Sequence, residues 1–157
     1  MTSKSERPSL FHAWSYVLVQ GVLLALLIFL GQGIGPHIHR FELLGWICEW
    51  LGIFGILVCA WSLGRSLTAV PIPKDEGKLS TTGLYRYVRH PMYSSVLLFA
   101  FGIAVNSGSV IKYLLAVALY ILFYAKSVYE ERYLRLKYPE YLEYSRKIPR
   151  FIPFMKY

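Results

Sequence analysis

Four apolar stretches alternate with polar ones along this chain. The first covers residues 13–34 and is almost purely aliphatic from Val22 to Leu30. About twenty such residues cross a bilayer core. Trp14 and Tyr16 stand at its start, where amphipathic rings favour the headgroup level, and Gly31, Gly33, Gly35 and Pro36 end it. The second stretch, residues 43–63, carries Trp46 and Trp50 at one end and Trp61 at the other. Its Gly45, Gly52 and Gly55 lower the helix surface so that a neighbour can approach closely. The third, residues 92–106, is short and opens with Ser94 and Ser95. Asn106-Ser107-Gly108 then makes a tight turn, and the fourth stretch covers residues 110–127. That turn predicts an antiparallel hairpin of the third and fourth helices. No breaker follows, so the last helical pattern runs on to Lys137, with Lys126/Glu130 and Glu131/Arg135 as i,i+4 opposite-charge pairs. Pro139 stops it and suits the first turn of a short helix over Glu140 to Lys147. Pro149 and Pro153 predict an extended tail. The pattern as a whole predicts an all-α integral membrane protein. One domain, residues 1–157, has about four transmembrane helices, a polar loop at 65–90 and a C-terminal cytosolic helical extension at 128–157.

Composition agrees, because 55% hydrophobic and only 17% charged residues are too apolar for a soluble domain of 157 residues. The net charge of +8 would otherwise point to nucleic acid. The basic residues lie beside apolar spans and form no nucleic-acid module, so membrane lipids and an orientation signal explain the charge better. Of the 17 Lys and Arg, all but Arg40 and Lys112 fall in the N-terminal arm, the 65–90 loop or the C-terminal region. The positive-inside rule therefore predicts a multi-pass protein with both termini and the long loop in the cytosol. The polar stretch Met1 to Leu10 and the lack of a small-residue cleavage motif make the first span a retained helix rather than a signal peptide.

Several isolated residues carry little chemistry. Cys48 and Cys59 share a helix face but are too far apart along the axis to bridge. His37 and His39 lack a third nearby ligand, and no metal site is expected. Glu49 is different, because a carboxyl at membrane depth is costly unless paired, protonated or facing a wet cavity. It is either a pathway group or a hydrogen-bonded packing residue.

Two polar constellations remain, residues 78–93 and 126–150, and the hairpin brings them to the same membrane face. They offer Tyr85, Tyr87, Tyr93, Tyr129, Tyr133 and Tyr144 as stacking surfaces, Glu130 and Glu131 as acceptors, and Arg86, Arg89, Lys126 and Arg146 as carboxylate clamps. Gly77 to Gly83 fits neither the phosphate loop nor the dinucleotide fingerprint. A zwitterionic sulfonium nucleotide suits the mixture: its adenine stacks, its ribose seeks hydrogen bonds, its carboxylate seeks a cation, and its sulfonium tolerates aromatic faces. Interfacial tyrosines and snorkelling arginines are the plainer account of the same residues.

Gly83-x-Tyr85-x-x-x-Arg89-His90-Pro91-x-Tyr93, Glu130-Glu131, Pro139-Glu140-Tyr141-x-x-Tyr144 and Arg150-Phe151-Ile152-Pro153 resemble the isoprenylcysteine carboxyl methyltransferase family. That family belongs to a wider group with the phospholipid N-methyltransferases, and the resemblance covers residues 67–154. It implies a membrane enzyme that uses S-adenosylmethionine at the cytosolic face and takes a lipophilic or lipid-modified acceptor from the bilayer. By the same resemblance Lys78, Leu79, Ser80, Tyr85, His90, Pro91, Met92 and Tyr93 hold the cofactor. Glu130, Glu131 and Lys126 form the reacting end. Lys126 stands where the eukaryotic enzymes carry arginine, which keeps the charge but loses the planar fork. The acceptor is an isoprenylcysteine-like carboxylate or a lipid amine. A membrane reductase of the sterol-reductase type, using NADPH, shares an Arg-His-Pro-x-Tyr element but usually has Asn where this chain has Met92. A non-enzymatic membrane scaffold is the third reading. The sequence leaves the oligomeric state open.

Overall fold

The computed structural model describes residues 10–31, 34–64, 79–153 and 155. Among the described residues five α-helices follow in order: α1 Leu10–Phe29, α2 Glu42–Leu63, α3 Pro91–Ser107, α4 Val110–Lys137 and α5 Tyr141–Lys147. A 3₁₀ turn, Gly83–Arg86, precedes α3. The described residues contain no strand, only an isolated bridge between His37 and Ser109. Among the described residues three helices, α1, α2 and α4, are long and apolar enough to cross a membrane. The fourth expected span, α3, is apolar but has 17 residues, roughly 25 Å at 1.5 Å per residue. The first helix ends at Phe29, five residues before the predicted boundary, where Gly31, Gly33, Gly35 and Pro36 crowd the sequence and together withdraw helix propensity.

The outer surfaces of α1 and α2 fit lipid. Trp14, Trp46, Trp50 and Trp61 are all exposed, in company with Leu18, Phe54 and Leu57. Apolar surface on this scale marks a membrane or partner face. The buried core lies between the helices, where Leu27, Ala100, Leu119 and Phe123 meet Phe151 of the C-terminal tail.

The hairpin forms as the turn predicts. Gly108 caps α3 in the left-handed region at φ 65°, and a Cβ there would lie 2.6 Å from the Ile38 carbonyl oxygen. Ile38 N–H donates to Gly108 O at 2.8 Å and Val110 N–H to Pro36 O at 3.0 Å. These bonds tie the α1–α2 link to the hairpin turn.

The glycines of α2 seat α3. A Cβ on Gly45 would meet Asn106 at 2.6 Å, and one on Gly52 would meet the Phe99 backbone nitrogen at 2.7 Å. Gly55 faces the Ser95 hydroxyl, and Gly102 of α3 returns the fit against Glu49 at 2.7 Å. Backbone atoms cannot move aside as a flexible side chain can. Gly52→Ala is therefore expected to cost about 1–3 kcal/mol. Gly21, with open space around its missing Cβ, is the matched control, and Gly21→Ala gains up to about 1 kcal/mol of helix propensity. Thermal melting of both variants in one detergent checks the contrast, and equal midpoints would refute the close seam.

Candidate functional site

His90 precedes Pro91, and proline disfavours helical backbone at the residue before it. His90 accordingly takes φ −124°, ψ 61° and caps α3, with Pro91 in the first turn. Helical spacing then places Tyr93 and Ser94 one turn on. The C-terminal tail returns to this point. Arg89 N–H donates to Pro149 O at 2.8 Å, His90 N–H to Arg150 O at 3.1 Å, and the Ser94 hydroxyl to Phe151 O at 2.7 Å. Phe151 is buried beneath, 5.9 Å from the His90 ring.

Two adjacent glutamates of α4 meet this junction, and they differ sharply. Glu131 is 2% exposed. Its carboxylate accepts both Arg150 Nε and Arg150 Nη2 at 3.0 Å and Arg89 Nη1 at 3.1 Å. His90 Nε2 lies 3.0 Å from Oε1. An ionised carboxylate only accepts, so that nitrogen carries the proton. Arg135 Nη2 adds an ion pair at 3.6 Å. The Arg150 guanidinium also stacks 4.9 Å over the Tyr124 ring. Burial alone would lower the pKa of Arg150, but its bonds to Glu131 prevail and raise it. Glu131 is thus the hub of a charged knot that joins α3, α4 and the tail.

Glu130 is 25% exposed. Its Oε2 accepts the Tyr93 hydroxyl at 2.8 Å and lies 3.6 Å from His90 Nδ1. Its Oε1 has no hydrogen-bond partner among the described residues. The aromatic stack beneath runs from His90 to Tyr93, 5.3 Å between centroids and 2° between planes, then to Phe123 at 4.7 Å.

Lys126 lies one turn before Glu130 and is 3% exposed. Its ammonium donates to Gln20 Oε1 of α1 at 2.8 Å and sits 5.2 Å from the Tyr93 ring centroid. The expected i,i+4 neighbour of Glu130 is therefore also anchored to the first helix. Tyr144 of α5 donates to the Tyr85 carbonyl at 2.5 Å. Burial, opposed by Arg89, pushes the Tyr144 phenol up to about 12, so it remains a donor at neutral pH. Burial likewise raises Tyr85.

The structure thus gathers His90, Tyr93, Glu130, Glu131 and Lys126, with Pro91 buried and Met92 half-buried at the α3 start. Tyr85 joins through Tyr144. Leu79 and Ser80 are partly buried at the beginning of the described segment, while Lys78 lies outside the described residues. Arg86 and Arg146, two expected clamps, are exposed, while Arg89 and Arg150 bind the carboxylate of Glu131. Arg150 stands in the sequence motif without an assigned role, and Gln20 is not singled out by the sequence. Their partners lie 19 and 106 residues away, and no local pattern announces either contact. A cleft of about 790 Å³ opens beside the knot between α1 and α4, lined by Tyr16, Tyr124, Tyr129, Arg132, Arg135 and Arg150 among others. Its volume suits a ligand.

Membrane-length helices closing over a buried His–Arg–Glu knot, with one half-open carboxylate, define a helical membrane protein with a polar site at one end of its bundle. A model of phospholipid methyltransferases matches residues 41–141. The chain belongs to that family, alongside isoprenylcysteine methyltransferases. It is 37% identical over 98 residues to protein-S-isoprenylcysteine O-methyltransferase B of Arabidopsis thaliana, covering 59% of this chain and 49% of that one. It is 32% identical over 124 residues to a probable protein-S-isoprenylcysteine O-methyltransferase of Oryza sativa subsp. japonica, covering 71% and 64%. It is 32% identical over 105 residues to the cobalt-zinc-cadmium resistance protein CzcN of Cupriavidus metallidurans, covering 66% and 48%. The matches span about half the length of the Arabidopsis and Cupriavidus relatives.

Proposed function

We propose that this protein is an S-adenosylmethionine-dependent membrane methyltransferase that acts on a lipophilic acceptor, with four membrane-embedded helices and its site at the cytosolic face. One observation carries the reading beyond family membership. The Arg-His-Pro-x-Tyr and Glu-Glu elements, some forty residues apart, interlock in pairs: His90 with Glu131 and Tyr93 with Glu130. Each motif positions the other, and the pairing leaves one carboxylate oxygen of Glu130 without a partner among the described residues.

The donor set fits the cofactor. A carboxylate oxygen without a partner among the described residues suits ribose hydroxyls or a cationic centre. S-adenosylmethionine supplies, when bound, a methyl group on a sulfonium cation that an acceptor lone pair can take. His90, Tyr93 and Glu130 would hold it, with Tyr85, Leu79 and Ser80 from the preceding segment and Lys78, Pro91 and Met92 beside them. Glu131 orients His90 and the two arginines from behind rather than facing the ligand. The protein's remaining task is alignment of the acceptor. A carboxylate acceptor is already ionised at neutral pH and needs a cation, which Lys126 provides. An amine acceptor must lose a proton, and Glu130 is the carboxylate placed to take it. The α1–α4 cleft gives such an acceptor a lateral route from the bilayer.

Calorimetric titration of the detergent-purified protein with S-adenosylmethionine, with NADPH as the control ligand, tests the cofactor. Incubation with a lipid extract and methyl-labelled cofactor then tests the acceptor. Saturable heat with S-adenosylmethionine alone and label in a lipid-soluble product are expected. A folded protein that takes up NADPH and ignores S-adenosylmethionine would reverse the reading.

A further inference from the structure

The opposite end of the bundle holds a second polar cleft, of about 290 Å³. Its polar wall is Glu49 of α2, Asn106 and Ser107 of α3, and Lys112 of α4. Phe99 and Ile103 make the apolar side. It is a separate place from the site above, because α3 runs roughly 25 Å between His90 and Asn106.

Lys112 is the unexplained group. It is 4% exposed, and it has neither a hydrogen bond nor an ion pair among the described residues. Lys112 lines the cleft, and a cation at membrane depth is costly without a counter-charge. The positive-inside signal does not account for it, since it lies at the end of the bundle that carries few basic residues. Glu49 is the complementary group. Asn106 Nδ2 donates to its Oε1 at 3.2 Å, which leaves Oε2 without a partner among the described residues. Gly102 lets the Glu49 side chain lie flat against α3.

We propose that this cleft seats the headgroup of an aminophospholipid, with its phosphodiester on Lys112 and its primary ammonium on Glu49. Three features of the cleft specify that ligand. Lys112 lies in the first turn of α4, where the helix dipole adds positive potential for a phosphate. The cleft lies at the mouth of the α3–α4 hairpin, at the height where a membrane helix meets headgroups. Its Phe99 and Ile103 wall suits the carbon stem that joins a headgroup to its chains. The carboxylate argues against purely anionic lipids, and a choline headgroup has no N–H to give it. The site is a binding site apart from methyl transfer and does not depend on that activity.

Native mass spectrometry of delipidated protein decides the matter. Equal amounts of phosphatidylethanolamine, phosphatidylglycerol and phosphatidylcholine with the same chains are returned to it, with soluble phosphoethanolamine as a fourth arm. Phosphatidylethanolamine is expected to be retained about tenfold over the other two lipids, as charge-assisted hydrogen bonds at both ends imply. Lys112→Met lowers that retention about tenfold. Glu49→Gln removes the preference over phosphatidylglycerol while leaving phosphatidylglycerol bound. Equal retention of the three lipids by the wild-type protein overturns the proposal, as does unchanged retention in both variants. Soluble phosphoethanolamine binding as well as the lipid would overturn the lipid source. Should Lys112→Met fail to fold, the Glu49→Gln result still decides, because a lipid amine held at the reaction site does not depend on Glu49.

Discussion

Glu131→Ala is expected to destabilise the protein by about 3–5 kcal/mol, the cost of breaking a buried ion pair from one side. Removing this carboxylate leaves Arg89 and Arg150 without the counter-charge they share and His90 Nε2 without its acceptor. Three elements lose their common anchor at once: the start of α3, the end of α4 and the tail through Pro149 and Phe151. Cofactor affinity should collapse with it, because His90 and Tyr93 are positioned by that junction. Glu131→Gln keeps the shape and one acceptor oxygen, so it should fall between wild type and alanine. Thermal melting in detergent gives the stability, and calorimetry on the surviving folded fraction gives the affinity. A wild-type melting point for the alanine variant would show that the knot is not a stabilising hub.

Glu130→Gln should do the reverse, leaving the melting point close to wild type while damaging turnover. Glu130 is partly exposed, and glutamine keeps an oxygen to accept the Tyr93 hydroxyl, a bond worth about 1 kcal/mol. The kinetic outcome depends on the acceptor, which makes the variant diagnostic. With an amine acceptor the proton loses its base, and kcat/KM falls by about 10²–10⁴-fold. With a carboxylate acceptor no proton has to leave, and the loss is confined to a higher KM for the cofactor. Lys126→Met gives the mirror pattern: a large loss for a carboxylate acceptor and a small one for an amine. Full activity in Glu130→Gln with either acceptor would remove Glu130 from the reaction. These outcomes would separate the two neighbouring carboxylates into a stability residue and a turnover residue.

That division was invisible in the sequence. Adjacent helical residues point about 100° apart, and which one turns inward depends on what packs there. The helices themselves were legible, because membrane spans announce themselves by composition. The hairpin was legible in Asn106-Ser107-Gly108, and the close seam in Gly45, Gly52 and Gly55, since small residues have few other uses at that spacing. The run of α4 past the apolar stretch to Lys137 followed from its i,i+4 charge pairs. The tail is where local reasoning stopped. Pro149 and Pro153 explain why it is not helical, but not that its carbonyls pair with Arg89 and His90. Arg150, Phe151 and Gln20 act through contacts with residues distant in the chain, which a pattern of periods and breakers does not encode.

The shortness of α3 has a consequence for how an acceptor is reached. At roughly 25 Å it falls short of a hydrocarbon core of about 30 Å. A bilayer meeting that helix must thin locally or let water dip toward its ends. In the proposed orientation the His90–Glu131 knot then sits below the surrounding headgroup plane, at the bottom of a shallow depression. A greasy acceptor can present its polar end there with its chain still immersed. Each methylene that stays in the bilayer spares about 0.8 kcal/mol of extraction work. The enzyme would therefore bring the aqueous cofactor down to the lipid rather than lift the lipid up to the cofactor.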